Sequence, residues 1–122
     1  MHVALDIDET ITAQPELFAL LARALRREGH RVTVVTLRRS RAGALETLRA
    51  LGIEHDELVT LPMDHEGCVV AWKLDRLHAL ACDVVFDDLP AIANGLRHDV
   101  FVAVPRDPTM GWLAHVDEEP DA

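Results

Sequence analysis

Short apolar runs alternate along this chain with segments of helical period, and that alternation admits few folds. The runs fall at residues 2–7, 31–36, 57–61, 83–86 and 100–104. Near-continuous apolar strands separated by amphipathic helices are what a parallel sheet covered on both faces requires. The expected architecture is therefore α/β: a three-layer α/β/α Rossmann-like fold on a five-stranded, mainly parallel sheet. The first helix opens near Pro15, a residue suited to a first helical position, presents Leu17, Phe18, Leu20, Leu21, Ala24 and Leu25 on one face, and ends at Gly29. The second follows Arg38, Arg39 and Ser40, turns Leu45, Leu48 and Leu51 inward, and closes at Gly52. In the third, Val70, Leu74, Leu77 and Ala81 share a stripe, and Pro90 starts a short fourth. Residues 106–122 are acidic and contain Pro with few periodic apolar positions, so the core is read as 1–105 and the remainder as a loosely held tail pinned by Trp112 and Leu113.

At 122 residues there is room for one domain and not for a second. Its formal net charge of -9 argues against unspecific attraction to nucleic acid or to an anionic membrane face. Cys68 and Cys82 are too few and too far apart for a Cys-x-x-Cys motif; two reduced, partly buried cysteines fit a reducing cytoplasm. No segment approaches the roughly 18 apolar residues of a membrane span, and no basic stretch precedes an apolar core at the start, so a soluble, unexported, cytoplasmic protein without membrane partners is expected.

Polar residues cluster where such a sheet binds ligands, just beyond the carboxyl ends of its strands. Asp6, Asp8 and Thr10 follow the first strand, Thr36 ends the second, and Asp87 and Asp88 follow the fourth; Lys73 lies in the first turns of the preceding helix. An extended strand would point Asp6 and Asp8 the same way, and like charges side by side call for a cation or a proton between them. Four carboxylates, a lysine and a hydroxyl make an oxygen-rich site for a hard cation, suited to Mg²⁺ rather than zinc because no Cys or His joins it. Ile7 between the carboxylates, with no Gly following, argues against a calcium loop. The histidines lie mostly in loops or on helix surfaces with no two at ligand spacing in one element, and are read as solvated. Trp72 is read as packing against the sheet in preference to stacking on a base, and Arg23, Arg26, Arg27 and Arg31 as a solvated face.

With Asp-x-Asp-x-Thr at Asp6, Asp8 and Thr10, then Thr36, Lys73 and the Asp87-Asp88 pair in order, the chain resembles the haloacid dehalogenase superfamily of phosphohydrolases over nearly the whole domain. The resemblance implies that Asp6 attacks phosphorus to give an aspartyl-phosphate. It implies that Asp8 serves as acid and base, and that Thr36 and Lys73 grip the transferring phosphoryl oxygens. Mg²⁺ would be bound by the Asp6 carboxylate, the Asp8 main-chain oxygen and the acidic pair, with Asp88 as the direct ligand and Asp87 its neighbour. Thr10, Thr36, Arg38 and Lys73 form the implied substrate-binding set. Arg38 matches a frequent Thr-x-Arg arrangement whose guanidinium forks onto a phosphate or carboxylate, the other reading being a solvated loop arginine. Members usually carry a cap domain, yet the segments 9–14 and 62–67 are too short for one. The site then stands open to solvent unless a neighbouring subunit roofs it, as in small tetrameric members, so a homo-oligomer covering the site belongs among the expected partners. The fourth motif and Thr-x-Arg resemble nucleotidases and polynucleotide end phosphatases, although Leu89 stands where the latter often have Arg and the acidic balance weighs against nucleic acid.

The expected function is Mg²⁺-dependent hydrolysis of a phosphomonoester, with a nucleotide or other small phosphate ester as substrate. The alternative is a non-catalytic phosphate-binding or receiver-like signalling domain. A receiver carries its acceptor Asp after the third strand and a Lys after the fifth, where this chain has Thr60-Leu61-Pro62 and Val104-Pro105-Arg106.

Overall fold

In the computed structural model, residues 1–105 are described. The expected tail, with Trp112 and Leu113, lies outside them. Five strands, β1 His2–Leu5, β2 Arg31–Thr36, β3 Glu57–Thr60, β4 Val84–Phe86 and β5 Phe101–Ala103, form one sheet in the order β3-β2-β1-β4-β5. All four pairings are parallel. Helices α1 Pro15–Arg27 and α2 Arg41–Ala50 cover one face, and α3 Val69–Ala79 and α4 Pro90–Gly95 the other. The strand residues divide by parity, as a period of two demands. Val3, Leu5, Val32, Val34 and Leu58 pack under α1 and α2, while Ala4, Val35 and Val85 pack under α3 and α4. The chain runs outward from β1 through β2 to β3, then crosses back to β4 on the other side of β1. The carboxyl ends of β1 and β4 thus flank the point where strand order reverses, the place where such sheets take ligands.

Local signals set the helix ends. Pro15 and Pro90 occupy the opening turns of α1 and α4, and Ser40 caps α2 by accepting the Gly43 N–H at 3.0 Å. Gly29 and Gly52 take left-handed backbone at φ 83° and 71° to end α1 and α2. The third helix ends the same way without a glycine. Ala81, expected on its inward stripe, lies beyond the helix at φ 53° and is exposed.

The α1 stripe is narrower than its leucines suggested. Phe18 and Ala22 are buried with Leu21 and Leu25 against them, whereas Leu17 and Leu20 are more than half exposed and Ala24 also faces outward. The six positions expected on one face span more than the arc one contact face can cover. Among the described residues no helix is long and apolar enough to cross a membrane.

Asp56 ties three elements together at the end of the sheet remote from the candidate site. Its carboxylate accepts the Val32 N–H at 2.8 Å and Arg26 Nε–H at 3.2 Å, and its own N–H donates to Val32 O at 2.8 Å. Arg26 also meets Glu54, and Arg31 meets Glu57, so half of the expected solvated arginine face is paired. The Val32 N–H, with Arg26, holds the Asp56 carboxyl below the ordinary carboxylate range. A depressed folded-state pKa contributes stability that is present above the unfolded value of 3.8 and is lost as pH falls through the folded value. Asp56→Ala is expected to destabilise by about 1 kcal/mol at neutral pH, the figure for a partly exposed charged hydrogen bond. Urea melts at pH 7 and below pH 3 should show that difference shrinking in acid; a pH-independent difference would contradict the assignment.

Candidate active site

The first strand stops at Leu5, two residues before the expected end, although the Asp6 N–H still donates to Phe86 O at 3.0 Å and keeps Asp6 in the ladder. The chain then folds into one wide turn over Ile7–Ile11, closed by Ile11 N–H to Asp6 O at 3.4 Å and Thr12 N–H to Ile7 O at 3.1 Å. Within it Asp8 is extended and Glu9 takes φ 61°, an uncommon backbone for a residue with a side chain. The Glu9 N–H is fixed by Thr12 Oγ1 at 3.0 Å. Buried Ile7 and Ile11 anchor the turn in the core under α1 and α2.

This turn separates the two carboxylates that an extended strand would have aligned. Asp6 is buried and Asp8 is more than half exposed. Each has its own cation. Lys73 Nζ donates to Asp6 Oδ1 at 2.7 Å, while Thr10 Oγ1, fully buried, donates to Asp6 Oδ2 at 3.3 Å. Asp8 is gripped by the Arg38 fork, with Nη2 to Oδ1 at 2.7 Å and Nε to Oδ2 at 2.9 Å. Arg38 is thus not a solvated loop arginine, since its fork is engaged by Asp8.

Lys73 is only 2 % exposed and faces two carboxylates, Asp6 and Asp87 Oδ2, each at 2.7 Å. Asp87 follows β4, its N–H donating to Ala103 O at 3.2 Å and its Oδ1 accepting the Leu89 N–H at 2.9 Å. Asp87 Oδ2 is paired with the Lys73 ammonium at 2.7 Å, so two buried carboxylates share one cation. Asp6, Asp87 and Asp88 each offer a carboxylate oxygen within 4.8 Å of the others. All three donors are hard oxygens, so the cluster fits a hard metal ion. The Asp8 carboxylate lies outside this trio, which leaves only its main-chain oxygen for the ligand role expected of that residue. Both members of the acidic pair offer an oxygen to this cluster.

Electrostatics move the two carboxyls of the first motif in opposite directions. Burial pushes the Asp6 carboxyl up to about 6, against the pull of Lys73 and with a further push from Asp88. Burial likewise raises Asp87. Asp8 moves the other way, held below the usual carboxylate range by its hydrogen bonds from Arg38. Asp6 thus gives up its proton at higher pH than an ordinary Asp yet is mostly ionised at pH 7, and Asp8 gives its proton up at lower pH, whereas acid–base work by Asp8 had called for a proton retained near neutrality.

These groups form the floor of a cleft of about 260 Å³ lined by Asp6, Asp8, Glu9, Leu37, Lys73, Asp87, Asp88 and Leu89. Thr36 is buried at the end of β2, where its hydroxyl accepts the Arg38 N–H at 3.1 Å, and Leu37 rather than Thr36 lines the cleft. Glu9 and Leu37 are the lining residues that sequence reasoning did not single out. Trp72, next to Lys73, has the His65 ring 6.2 Å away and tilted, and His65 Nε2 is buried, so this is not a solvated histidine.

Comparison with known proteins adds one fold. No protein-family model and no curated protein matches the chain. A chain in a solved structure of the Pnkp1/Rnl/Hen1 RNA repair complex is similar to it, with a TM-score of 0.70 at 14% identity over 85% of this chain. The likeness is one of fold. This chain spans 42% of that chain's length. It agrees with a three-layer α/β arrangement built on a parallel sheet.

Proposed function

We propose that the protein is a cap-less, Mg²⁺-dependent phosphomonoester hydrolase of the haloacid dehalogenase type, working through an aspartyl-phosphate on Asp6. The single observation that carries this reading is the Asp6 carboxylate itself, fixed between Lys73 and Thr10 on the floor of an open cleft, within reach of two further carboxylates. A nucleophile needs its attacking oxygen immobilised and its approach unobstructed. Asp6 meets both conditions.

Asp6, Asp87 and Asp88 would hold Mg²⁺, the choice over other cations resting on an all-oxygen donor set small enough to leave open positions. When bound, the ion supplies positive charge that offsets the repulsion between carboxylate and phosphate. Lys73 stabilises negative charge on the transferring oxygens. Asp8, at the mouth of the cleft and held by Arg38, takes up the proton that the monoanion of a phosphomonoester brings, gives it to the leaving oxygen and recovers one from the attacking water. Leu37 and Leu89 give the cleft apolar walls, which suit a small organic leaving group. The fold shared with a chain of an RNA repair complex is a reason to include a 3′-phosphorylated oligonucleotide among the compounds tried, beside nucleotides and sugar phosphates.

The test is phosphate release from that panel with Mg²⁺ and with chelator. Release that requires Mg²⁺ is expected; release unaffected by chelator would contradict the metal assignment, and no release from any ester would favour a phosphate-binding or receiver-like role. Because Asp6 must shed its proton to take a metal ion, Mg²⁺ affinity should fall as pH drops through about 6. Calorimetric titration with Mg²⁺ at pH 7.5 and 5.5 checks this, and equal affinities would contradict it.

A further inference from the structure

Arg38 is held from four directions. Its N–H donates to Thr36 Oγ1 at 3.1 Å and its carbonyl accepts the Leu61 N–H at 3.0 Å, tying the segment after β2 to two strand ends. Its guanidinium then divides. Nε and Nη2 fork onto Asp8, and Nη1 donates to Thr47 Oγ1 at 2.8 Å. A guanidinium is planar, so fixing Nη1 fixes the direction of the other N–H groups. Thr47 is part-buried on α2, a helix seated on the sheet through Ala44 and Leu48, and its position is therefore set by the core. Asp8 has no such support of its own. It is exposed, it precedes the left-handed Glu9, and among the described residues its side-chain hydrogen bonds all come from Arg38.

We infer that Thr47 is a positioning residue of this site, holding the Asp8 carboxylate at the mouth of the cleft through Arg38. The inference rests on the reading of Asp8 as the acid and base. In that role the Asp8 carboxyl gives a proton to the leaving oxygen as the P–O bond breaks, and the carboxylate takes one back from the water that attacks the phosphoryl-enzyme. A carboxyl aimed a fraction of an ångström away does this poorly, and the loss depends on how much the leaving oxygen needs a proton. An alkoxide needs it; a nitrophenolate leaves without it.

Thr47→Val removes the acceptor while keeping the branched shape, and Thr47→Ser restores the hydroxyl. The kcat ratio for an alkyl phosphate over 4-nitrophenyl phosphate should fall about tenfold in Thr47→Val, a fraction of a full general-acid contribution, with KM within about twofold. Thr47→Ser should bring the ratio back. An unchanged ratio in Thr47→Val overturns the inference, because a merely structural defect would lower both rates together. A second readout needs no turnover: the Arg38 Nε–H resonance in ¹⁵N NMR should be protected from exchange in wild type and Thr47→Ser and unprotected in Thr47→Val. If wild type turned over no ester, the functional reading would fail, while an Arg38 signal indifferent to Thr47→Val would overturn the positioning claim by itself.

Discussion

Asp6→Asn is expected to abolish turnover, by at least about 10⁴-fold, while the circular dichroism spectrum stays that of wild type. The amide keeps the shape of the carboxylate. Its oxygen can still accept from Lys73 while its NH2 donates to the Thr10 hydroxyl, and Lys73 keeps its second partner at Asp87, so the floor of the cleft is not left with an unpaired ammonium. What disappears is a nucleophile and one of three metal-binding oxygens. The variant should therefore also lose most of the thermal stabilisation that Mg²⁺ gives wild type. Phosphate release within tenfold of wild type would remove Asp6 from the role of nucleophile.

Lys73→Met has the second large effect, and it acts on stability as well as on rate. The methionine fills a similar volume but strips Asp6 and Asp87 of the cation they share. Breaking a buried ion pair by removing one partner costs roughly 3–5 kcal/mol, because the remaining charges stay in a low dielectric. Loss of one group that stabilises developing charge lowers kcat by about 10²–10³. The two effects separate by their dependence on metal. Mg²⁺ bound among the same carboxylates stabilises the folded state by mass action, so the deficit in urea melts should shrink as Mg²⁺ rises, while the rate stays depressed. A variant as stable and as fast as wild type in chelator and in Mg²⁺ would show Lys73 to be a bystander.

The fold was legible in the sequence because parallel strands covered on both faces leave long apolar runs, and each run became a strand within about two residues of its expected ends. Helix faces were harder. Leu17 and Leu20 have the composition of core residues but sit beyond the arc that α1 turns to the sheet, and Leu17 lines a separate groove with Phe18, Phe86 and Val104. Nothing in the residue type distinguishes the two cases. At the site, the positions of Asp6, Lys73 and Asp87 followed from their places after strands or in the first turns of a helix. The partnership of Asp8 with Arg38, 30 residues apart, did not, because it depends on the sharp turn after Leu5 and on β1 lying beside β2. That turn uses a left-handed glutamate, which carries no sequence signal of the kind a glycine gives. The distribution of protons was likewise hidden. Burial raises Asp6 and the Arg38 fork lowers Asp8, although the two are two residues apart in one motif.

The central claim is that a phosphoryl group passes through Asp6, and the most direct measurement is the mass of the protein quenched in acid during turnover with Mg²⁺. The account predicts a fraction of molecules carrying one phosphoryl group, sensitive to hydroxylamine as an acyl phosphate is, on the peptide that contains Asp6, and absent from Asp6→Asn. Steady phosphate release with that peptide unlabelled, or with the group on another residue, would contradict it.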